Sequence, residues 1–195
     1  MPGEIEEHAI NVTGLLDTYI LYPNREGLWL IDQQGAHERI LYEQLQQSSA
    51  EQPVPAQRTM FPVTLSVPAA DVALLQELSP SMALLGFLLE PDSSGHLTLQ
   101  GTPSDLTAGQ ENKMIESLLE EYKHFTADAG YTMREKLIRS MVKQRCIKAG
   151  TPLSEKEMKQ LVVQLLACQQ PGQTPDGNPT YFALSKKYLG SLFGR

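Results

Sequence analysis

The fold is decided by the stretch GLWLIDQQGAHERILYE, residues 27–43. Its first part, 27–32, is a short apolar run of the kind that forms β-strands. Over 36–47 the pattern changes, because apolar residues recur at helical spacing. These residues are Ala36, Ile40, Leu41 and Leu45. The sequence at 32–35 therefore predicts a junction at which a strand leads directly into a helix.

Working outward, a second strand-like run lies at 18–22, and the polar connector at 23–26 suits a hairpin between the two strands. After the helix, 48–57 carries two prolines and no periodicity, which predicts a connector. The middle of the chain then predicts a strand, a helix interrupted near Pro80, a hairpin and a long helix. We expect them at 61–67, 69–78, 87–90 with 96–100 across a turn at 91–95, and 110–125.

The last third of the chain predicts two helices, a strand and a short final helix. The second helix has a clear start, because Ser154 followed by Glu157 forms a capping-box pattern. A loop rich in Gly and Pro at 169–179 separates this helix from the strand. We expect the four elements at 133–146, 154–168, 181–184 and from Ser185 onward.

Length and composition are those of an ordinary globular chain. The 195 residues carry 41% hydrophobic and 20% charged side chains with a formal net charge of −7, and a chain of this length can bury a core of its own. Two cysteines are too few for a disulfide scaffold and indicate a reducing compartment. The longest apolar run, 82–89, is far below the ~20 residues that cross a bilayer. We therefore expect a cytoplasmic protein that makes no membrane contact.

Charge is distributed unevenly along the chain. Up to residue 132 there are 5 basic and 19 acidic residues, and from 133 onward 11 basic and 4 acidic. Lys136, Arg139 and Lys143 share one face of the predicted basic helix. Such a face can bind the phosphates of DNA. A solvated helix face explains the same charges without any partner.

The junction at 32–43 concentrates carboxylates, amides and an imidazole. Carboxylates at the start of a helix are favoured by the helix dipole without any catalytic role. Five residues advance a helix by ~500°, so the side chains of Glu38 and Glu43 point ~140° apart. The two glutamates are therefore not expected to share one metal ion.

These residues resemble the C-terminal domain of the MutL family of DNA mismatch repair proteins. The endonuclease motif of that family reads Asp-Gln-His-Ala, two residues, Glu, four residues, Glu. The chain matches this motif at Asp32, Gln33, Glu38 and Glu43. It departs from the motif at Gln34, where the family has His, and at Gly35, where the family has Ala. By this resemblance, Asp32, Glu38 and Glu43 are the candidate catalytic residues of a degenerate motif.

The resemblance extends over almost the whole chain. The segments 147–158, 178–180 and 192–195 are similar to family segments, whereas the middle third matches in pattern more than in residues. The resemblance implies an α/β fold of two subdomains, a dimerisation subdomain of residues 1–45 with 143–195 and an inserted external, regulatory subdomain of residues 46–142. Since the sequence has no ATPase phosphate-binding loops, we expect it to be the C-terminal portion of such a protein.

The metal-binding positions depart most from the family. By the resemblance, Lys143 stands where the family has a Cys, and 174–179 replaces its late Cys-Pro-His-Gly-Arg-Pro run. The donors that remain are Glu38 and Asp176, with the weaker oxygens of Gln34 and Thr174. Zinc prefers thiolate and imidazole, so we expect neither a zinc site nor a cofactor. Mn²⁺ or Mg²⁺ could use an oxygen set weakly. We expect the Lys143 ammonium to replace the metal charge by pairing with one of the two carboxylates.

Residues 57–62 fit the sliding-clamp-binding pattern of the family, a Gln, two residues, an aliphatic, one residue and Pro. The defined positions are Gln57, Met60 and Pro62, with Met60 where Leu or Ile is usual. In such a segment Met60 would occupy a pocket of the clamp while Gln57 forms hydrogen bonds. The alternative is a core strand that begins at Phe61.

Together these features predict an interaction module that homodimerises a mismatch repair protein. The resemblance implies that it couples that protein to the sliding clamp, to a mismatch-recognition protein and to DNA, the last weakly in isolation. The alternative function is a divalent-metal-dependent DNA nicking endonuclease that uses Asp32 and Glu38. A third interpretation is an unrelated small α/β ligand-binding domain, which a monomeric chain with a closed apolar pocket would favour.

Overall fold

The computed structural model describes residues 10–48, 51–92, 96–104, 109, 111–125 and 130–195. The chain divides into two compact units, the first of Met1–Glu43 with Cys146–Arg195 and the second of Gln44–Arg145. These divisions lie two to three residues from the subdomain limits drawn from the sequence. The roles of the two subdomains stay predictions.

The described residues form seven strands and six helices, with the mixed α/β composition that the sequence predicts. The strands are β1 Thr13–Leu15, β2 Tyr19–Pro23, β3 Gly27–Asp32, β4 Ala56–Thr64, β5 Leu88–Pro91, β6 Leu97–Pro103 and β7 Tyr181–Ser185. The helices are α1 Gln33–Gln46, α2 Ala69–Leu84, α3 Glu111–His124, α4 Met133–Arg145, α5 Glu155–Ala167 and α6 Lys186–Leu192.

The first unit is built on an antiparallel sheet with the strand order β1-β2-β3-β7. Residues directly opposite each other in antiparallel strands lie on the same face, and the register aligns Ile20, Ile31 and Tyr181. Ile20 and Ile31 are at most 1% exposed. This face packs against α1 and α5, whose core residues are Ala36, Ile40, Met158, Leu161, Val162 and Leu165. Each large apolar side chain buried here adds about 1.5–3 kcal/mol to the free energy of unfolding. This face therefore forms the core of the unit.

The opposite face of the same sheet also carries apolar side chains. The register brings Leu21, Leu30 and Phe182 into one row and places Leu28 beside Leu184 in the next. Phe182 is 60% exposed, and the four leucines are half-buried. We call these five residues the open face. None of them is buried in the described structure, although they are as apolar as the residues of the covered face.

The second unit combines the three-stranded sheet β4-β6-β5 with α2, α3 and α4. Its most buried side chains are at most 1% exposed and include Leu75, Leu78, Met82, Leu99, Ile115, Leu118, Leu137 and Met141. The Arg134 guanidinium donates to the carbonyl oxygens of Leu45 and Gln46, at 3.3 Å each, and of Ser48 at 2.5 Å. These bonds satisfy carbonyl groups that the end of a helix leaves without partners.

Three predicted elements differ from the observed ones. The prediction that Pro80 interrupts its helix is wrong, because α2 continues to Leu84. Proline removes one backbone donor, and Met82 beyond it is fully buried, so packing holds the last turn. The prediction that 48–57 is a connector is wrong at its end, since Ala56 pairs with Pro103 and begins β4. β1 was not predicted, because three exposed residues carry no alternating pattern.

The capping box of α5 is confirmed. Ser154 accepts the backbone N–H of Glu157, and the Glu157 carboxylate accepts the backbone N–H of Ser154 at 2.7 Å. Ser185 caps α6 in the same way, by accepting the N–H of Tyr188 at 3.1 Å. The predicted turn at 91–95 includes residues 93–95, which lie outside the described residues. In the described ranges, no helix has the length and apolar character that a membrane span requires.

Candidate functional site at the strand–helix junction

Asp32 ends β3 and caps α1. Its Oδ1 accepts the backbone N–H of Gly35 at 2.5 Å, which is the bond that an N-cap side chain makes to the third residue of a helix. Its backbone N–H donates to the carbonyl oxygen of Thr180 at 2.9 Å. The carboxylate of Asp32, the first candidate catalytic residue, therefore serves as the N-cap of α1, and its backbone is fixed to Thr180.

Gln33 ties the helix start to two loops. Its side chain is 1% exposed. With the amide nitrogen turned toward them, it donates to the carbonyl oxygens of Asp17 and Thr151, each at 3.2 Å. Its backbone N–H donates to the carbonyl oxygen of Thr18 at 3.0 Å. The motif glutamine thus holds the turn between β1 and β2 and the loop that leads into α5.

Glu38, the second candidate catalytic residue, is 4% exposed. Its Oε1 accepts a hydrogen bond from Gln34 Nε2 at 3.0 Å, and Cys146 Sγ lies 3.8 Å from the same oxygen. Lys148 Nζ lies 3.5 Å from Cys146 Sγ. A buried carboxylate requires such donors. Sequence reasoning did not detect this contact, because 108 residues separate Cys146 from Glu38.

His37 and Gln34 hold the loop that follows α4. His37 Nδ1 accepts the backbone N–H of Ile147 at 2.9 Å, so the proton of the neutral ring is assigned to Nε2. Gln34 Oε1 accepts the backbone N–H of Ala149 at 3.3 Å. Two side chains on successive turns of α1 therefore fix the backbone of 147–149.

Arg39 fixes the loop that follows α5. The residue is 5% exposed, and its Nε donates to the carbonyl oxygen of Gln173 at 2.6 Å. Its Nη2 donates to the carbonyl oxygen of Thr174 at 2.9 Å. The guanidinium also lies 5.4 Å from the centre of the Tyr42 ring. Arg39 lies at a position that the recognised motif leaves undefined, and its role became visible only in the tertiary structure.

Glu43, the third candidate catalytic residue, binds backbone donors of the same loop. It accepts the N–H groups of Gln169 and Gln170 at 2.7 and 3.0 Å, and its Oε1 lies 3.6 Å from Arg39 Nη1. Burial, together with the Glu43 carboxylate, raises the pKa of the Cys168 thiol to about 11, against a lowering by Arg39. The carboxylate of Glu43 therefore organises this loop and adds to the effect of burial, which disfavours the thiolate of Cys168.

Thr174 and Asp176 occupy a tight turn. The Thr174 N–H donates to the carbonyl oxygen of Asn178 at 2.7 Å, and Thr174 Oγ1 accepts the Asn178 N–H at 3.1 Å. The φ of Gly177 is +87°, which favours glycine at that position. Thr174 is buried and Asp176 is exposed.

The side chains at these positions do not fit a zinc site. Glu38 already accepts a hydrogen bond from Gln34, while the Gln34 and Thr174 oxygens each accept one from a backbone N–H. Zinc sites use thiolate and imidazole ligands, usually four in a structural site and three in a catalytic one. Within the described ranges, no three His, Cys, Asp or Glu side chains form a group that could hold a metal ion.

The basic helix α4 uses two of its arginines internally. Arg134 binds the end of α1, and Arg139 is 7% exposed, with its Nε 2.8 Å from Glu135 Oε1. The Arg139 guanidinium also lies 4.2 Å from the centre of the Tyr131 ring. The Arg139 guanidinium is thus buried and paired with Glu135, and its contact with DNA stays a prediction. Lys136 and Lys143 are half-buried.

Within the segment 57–62, residues 59–62 form an irregular stretch between two paired parts of β4. Register with β6 is kept up to Arg58 and resumes at Val63. Between them, Met60 is 91% exposed and Phe61 is 81% exposed. The alternative of a core strand beginning at Phe61 is wrong, since the extra residues form a bulge that carries both side chains outward.

Sequence reasoning missed the open face. A signal was present, because 28–31 is a continuous apolar run. Strands with one solvated face alternate apolar and polar residues, whereas strands covered on both faces do not. The run therefore indicates that both faces of β3 are covered. In the part of the chain that the structure describes, α1 and α5 bury one face, and the open face stays unburied.

Comparison with known proteins places the chain beside one family. Residues 13–153 match the model of the MutL C terminal dimerisation domain. Similar proteins, each named DNA mismatch repair protein MutL, occur in Flavobacterium johnsoniae, Chloroherpeton thalassium and Symbiobacterium thermophilum. They are 30%, 34% and 31% identical to this sequence over 97%, 93% and 100% of it, respectively. The match covers 30%, 28% and 31% of the three relatives, so the chain spans about 30% of their length.

Proposed function

Because this chain belongs to the MutL family and carries its C-terminal dimerisation domain, we propose that it homodimerises a DNA mismatch repair protein. We propose that dimerisation uses the first unit, Met1–Glu43 with Cys146–Arg195. The repair activity of the whole protein is part of the proposal, since the chain spans about 30% of the relatives.

The observation that carries this proposal is the open face. Leu30 and Phe182 lie side by side on neighbouring strands, and Leu28 and Leu184 extend the same surface. Contiguous apolar surface of this kind marks an interaction site on a soluble protein. A second copy would present the same face, and a self-complementary contact of this type closes a twofold dimer.

Static light scattering of the chain at micromolar concentration tests the proposal. The parent chain is expected to have the mass of a dimer, and Phe182→Asp that of a monomer, because a buried carboxylate at the centre of an apolar interface is costly. Phe61→Asp is the matched control, since Phe61 is another exposed phenylalanine, in the second unit, and the variant should leave the dimer intact. A monomeric parent chain would overturn the proposal.

We also infer that the motif residues serve the fold rather than DNA cleavage. Support comes from the bonds of Asp32, Glu38 and Glu43, whose carboxylates accept hydrogen bonds from protein groups at the junction. At the neighbouring positions Gln34 and Thr174, the oxygen atoms that could bind a metal belong to an amide and a hydroxyl group. Such oxygens are poor ligands for zinc.

A nicking assay on supercoiled plasmid with Mn²⁺ or Mg²⁺ tests this inference. Neither the parent chain nor Asp32→Asn is expected to nick, and Mn²⁺ is not expected to raise the melting temperature, because a ligand of the folded state must stabilise it. Asn caps a helix as well as Asp does. Nicking that depends on Asp32 would therefore report chemistry rather than misfolding, and it would establish the endonuclease alternative.

We further propose that the dimer works in the cytoplasm and contacts DNA, the sliding clamp and a mismatch-recognition protein. The exposure of Met60 and Phe61 supports the clamp segment. For DNA, the proposal rests on the basic face of α4, formed by Lys136, Arg139 and Lys143, of which Arg139 is paired with Glu135. The mismatch-recognition protein is proposed from the family alone, and no residue is assigned to it.

A further inference from the structure

The turn between β1 and β2 presents a leucine to solvent on a strained backbone. Leu16 and Asp17 have φ values of 56° and 47°, and they are the two non-glycine residues with positive φ in the described part of the chain. The Thr18 N–H closes the turn by donating to the carbonyl oxygen of Leu15 at 3.2 Å. Turns with two positive φ values favour Asn, Asp and Gly. Asp17 meets this preference, whereas the β-carbon of Leu16 crowds the backbone.

The backbone of this turn is held from inside the unit. The buried Gln33 amide donates to the carbonyl oxygen of Asp17 at 3.2 Å, and Thr18 Oγ1 donates to that of Leu16 at 2.8 Å. The Leu16 side chain takes no part in these bonds and is 78% exposed. Hydrogen bonds within the chain therefore hold Leu16 in the left-handed conformation. Packing of the Leu16 side chain against the same chain does little to offset the energetic cost of that conformation. Strained positions of this kind concentrate at functional sites.

The turn adjoins the open face. Leu15 is 38% exposed and pairs with Tyr19, two residues from the row that contains Leu21 and Leu30. Four strands ~4.8 Å apart and about 20 Å long present only about 400 Å² in projection. A standard interface buries ~800 Å² on each partner. A dimer formed through the open face would thus need to extend beyond the sheet. Leu15, which is on the same face as Leu21, and the exposed Leu16 beside it are apolar residues at that margin.

We propose that Leu16 is an anchor in the contact between two copies of this chain, held by its turn for insertion into apolar surface of the second copy. This inference rests on the proposed dimerisation and adds a specific residue to it. A rigid turn loses little conformational freedom on association, which favours binding. In a twofold interface each residue is used twice, so one leucine supplies two anchors per dimer.

Sedimentation equilibrium of the full chain and Leu16→Asn tests the proposal. Asn adopts the left-handed region readily, so this variant relieves the strain while removing the apolar side chain. The dimer dissociation constant is expected to rise at least tenfold. In a Phe182→Asp background, which isolates the monomer, Leu16→Asn is expected to leave the melting temperature unchanged or higher. Phe61→Asn is the matched control, because it removes an exposed apolar side chain of the second unit. It is expected to leave the dimer dissociation constant unchanged.

The outcomes separate this inference from the proposed function. If the parent chain is monomeric, both are overturned. If the parent dimerises and Leu16→Asn dimerises with the same dissociation constant, only the role of Leu16 is overturned. A lower melting temperature of Leu16→Asn in the Phe182→Asp background would show that Leu16 stabilises the single chain, and it would contradict the anchor role.

Discussion

The γ-methyl carbon of Thr174 lies 3.1 Å from the position that a β-carbon on Gly35 would occupy. By the family resemblance, Ala is usual at the position of Gly35 and Cys at that of Thr174. Threonine has a γ-methyl group that cysteine lacks, and glycine lacks the β-carbon of alanine. Two departures from the family motif therefore meet at one contact, and we infer that each makes room for the other.

Gly35→Ala should destabilise the chain by about 1–3 kcal/mol through overpacking, even though alanine is the better helix former. In a Thr174→Ser background, which keeps the hydroxyl that binds Asn178, the same change should cost less, and the contact of the new β-carbon with Asp32 Oδ1 at 3.0 Å remains. Thermal unfolding of the four chains of the double-mutant cycle measures this coupling. Equal effects of Gly35→Ala in both backgrounds would show that the contact with Thr174 does not matter.

Cys168 should react slowly with alkylating reagents. Burial, with Glu43 nearby, raises its pKa from 9.0 to about 11, and the thiolate is the reactive form. At pH 8 the thiolate fraction is then about a hundredfold lower than for an ordinary thiol. Iodoacetamide labelling with peptide mapping should show a rate that still rises between pH 9 and pH 10. A rate that levels off near pH 9 would contradict the raised pKa, and the urea-unfolded chain provides the ordinary rate.

Clamp binding, if it uses the bulged segment of β4, should depend on few side chains. Gln57→Ala with Met60→Ala is expected to weaken binding to a purified sliding clamp by ~2 kcal/mol or more, about thirtyfold, because such peptide anchors carry most of the affinity. Arg58→Ala is the matched control, since Arg58 is exposed in the same strand but is not a defined position of the pattern. Equal affinity of the double variant and the control would show that the pattern is coincidental.

DNA retention should depend on salt and on Lys136 with Lys143. Replacing both with Ala is expected to weaken binding and to reduce the slope of log affinity against log salt by about 2, one counterion for each lost phosphate contact. Arg139 is left in place, because its removal would take away the buried guanidinium that lies 2.8 Å from Glu135 Oε1. Lys156→Ala with Lys187→Ala changes the net charge equally and is the control. An equal loss in both variants would indicate a general charge effect.

Local features of this protein were predictable from its sequence. The strand-to-helix change near Asp32 and the capping box of Ser154 and Glu157 are confirmed. Both depend on residues within one or two turns of each other, where periodicity and capping chemistry act. The family was also identified from the spacing of motif residues within the 32–43 segment. Pro80 shows where local reasoning fails, because the buried residues beyond it extend the helix.

Local sequence patterns thus identify most elements and the family, whereas the contacts of the residues between 32 and 43 follow from the tertiary structure. His37 binds a backbone group 110 residues away, Glu43 one 126 residues away and Arg39 one 134 residues away. The burial of Arg139 and the exposure of Leu16 likewise became visible only in the folded chain. Partners so distant in sequence leave no periodic signal, because the contact depends on how the sheet and helices bring separate segments together. The same motif letters can therefore stand for a catalytic site or, as we propose here, for the junction that holds three loops in place.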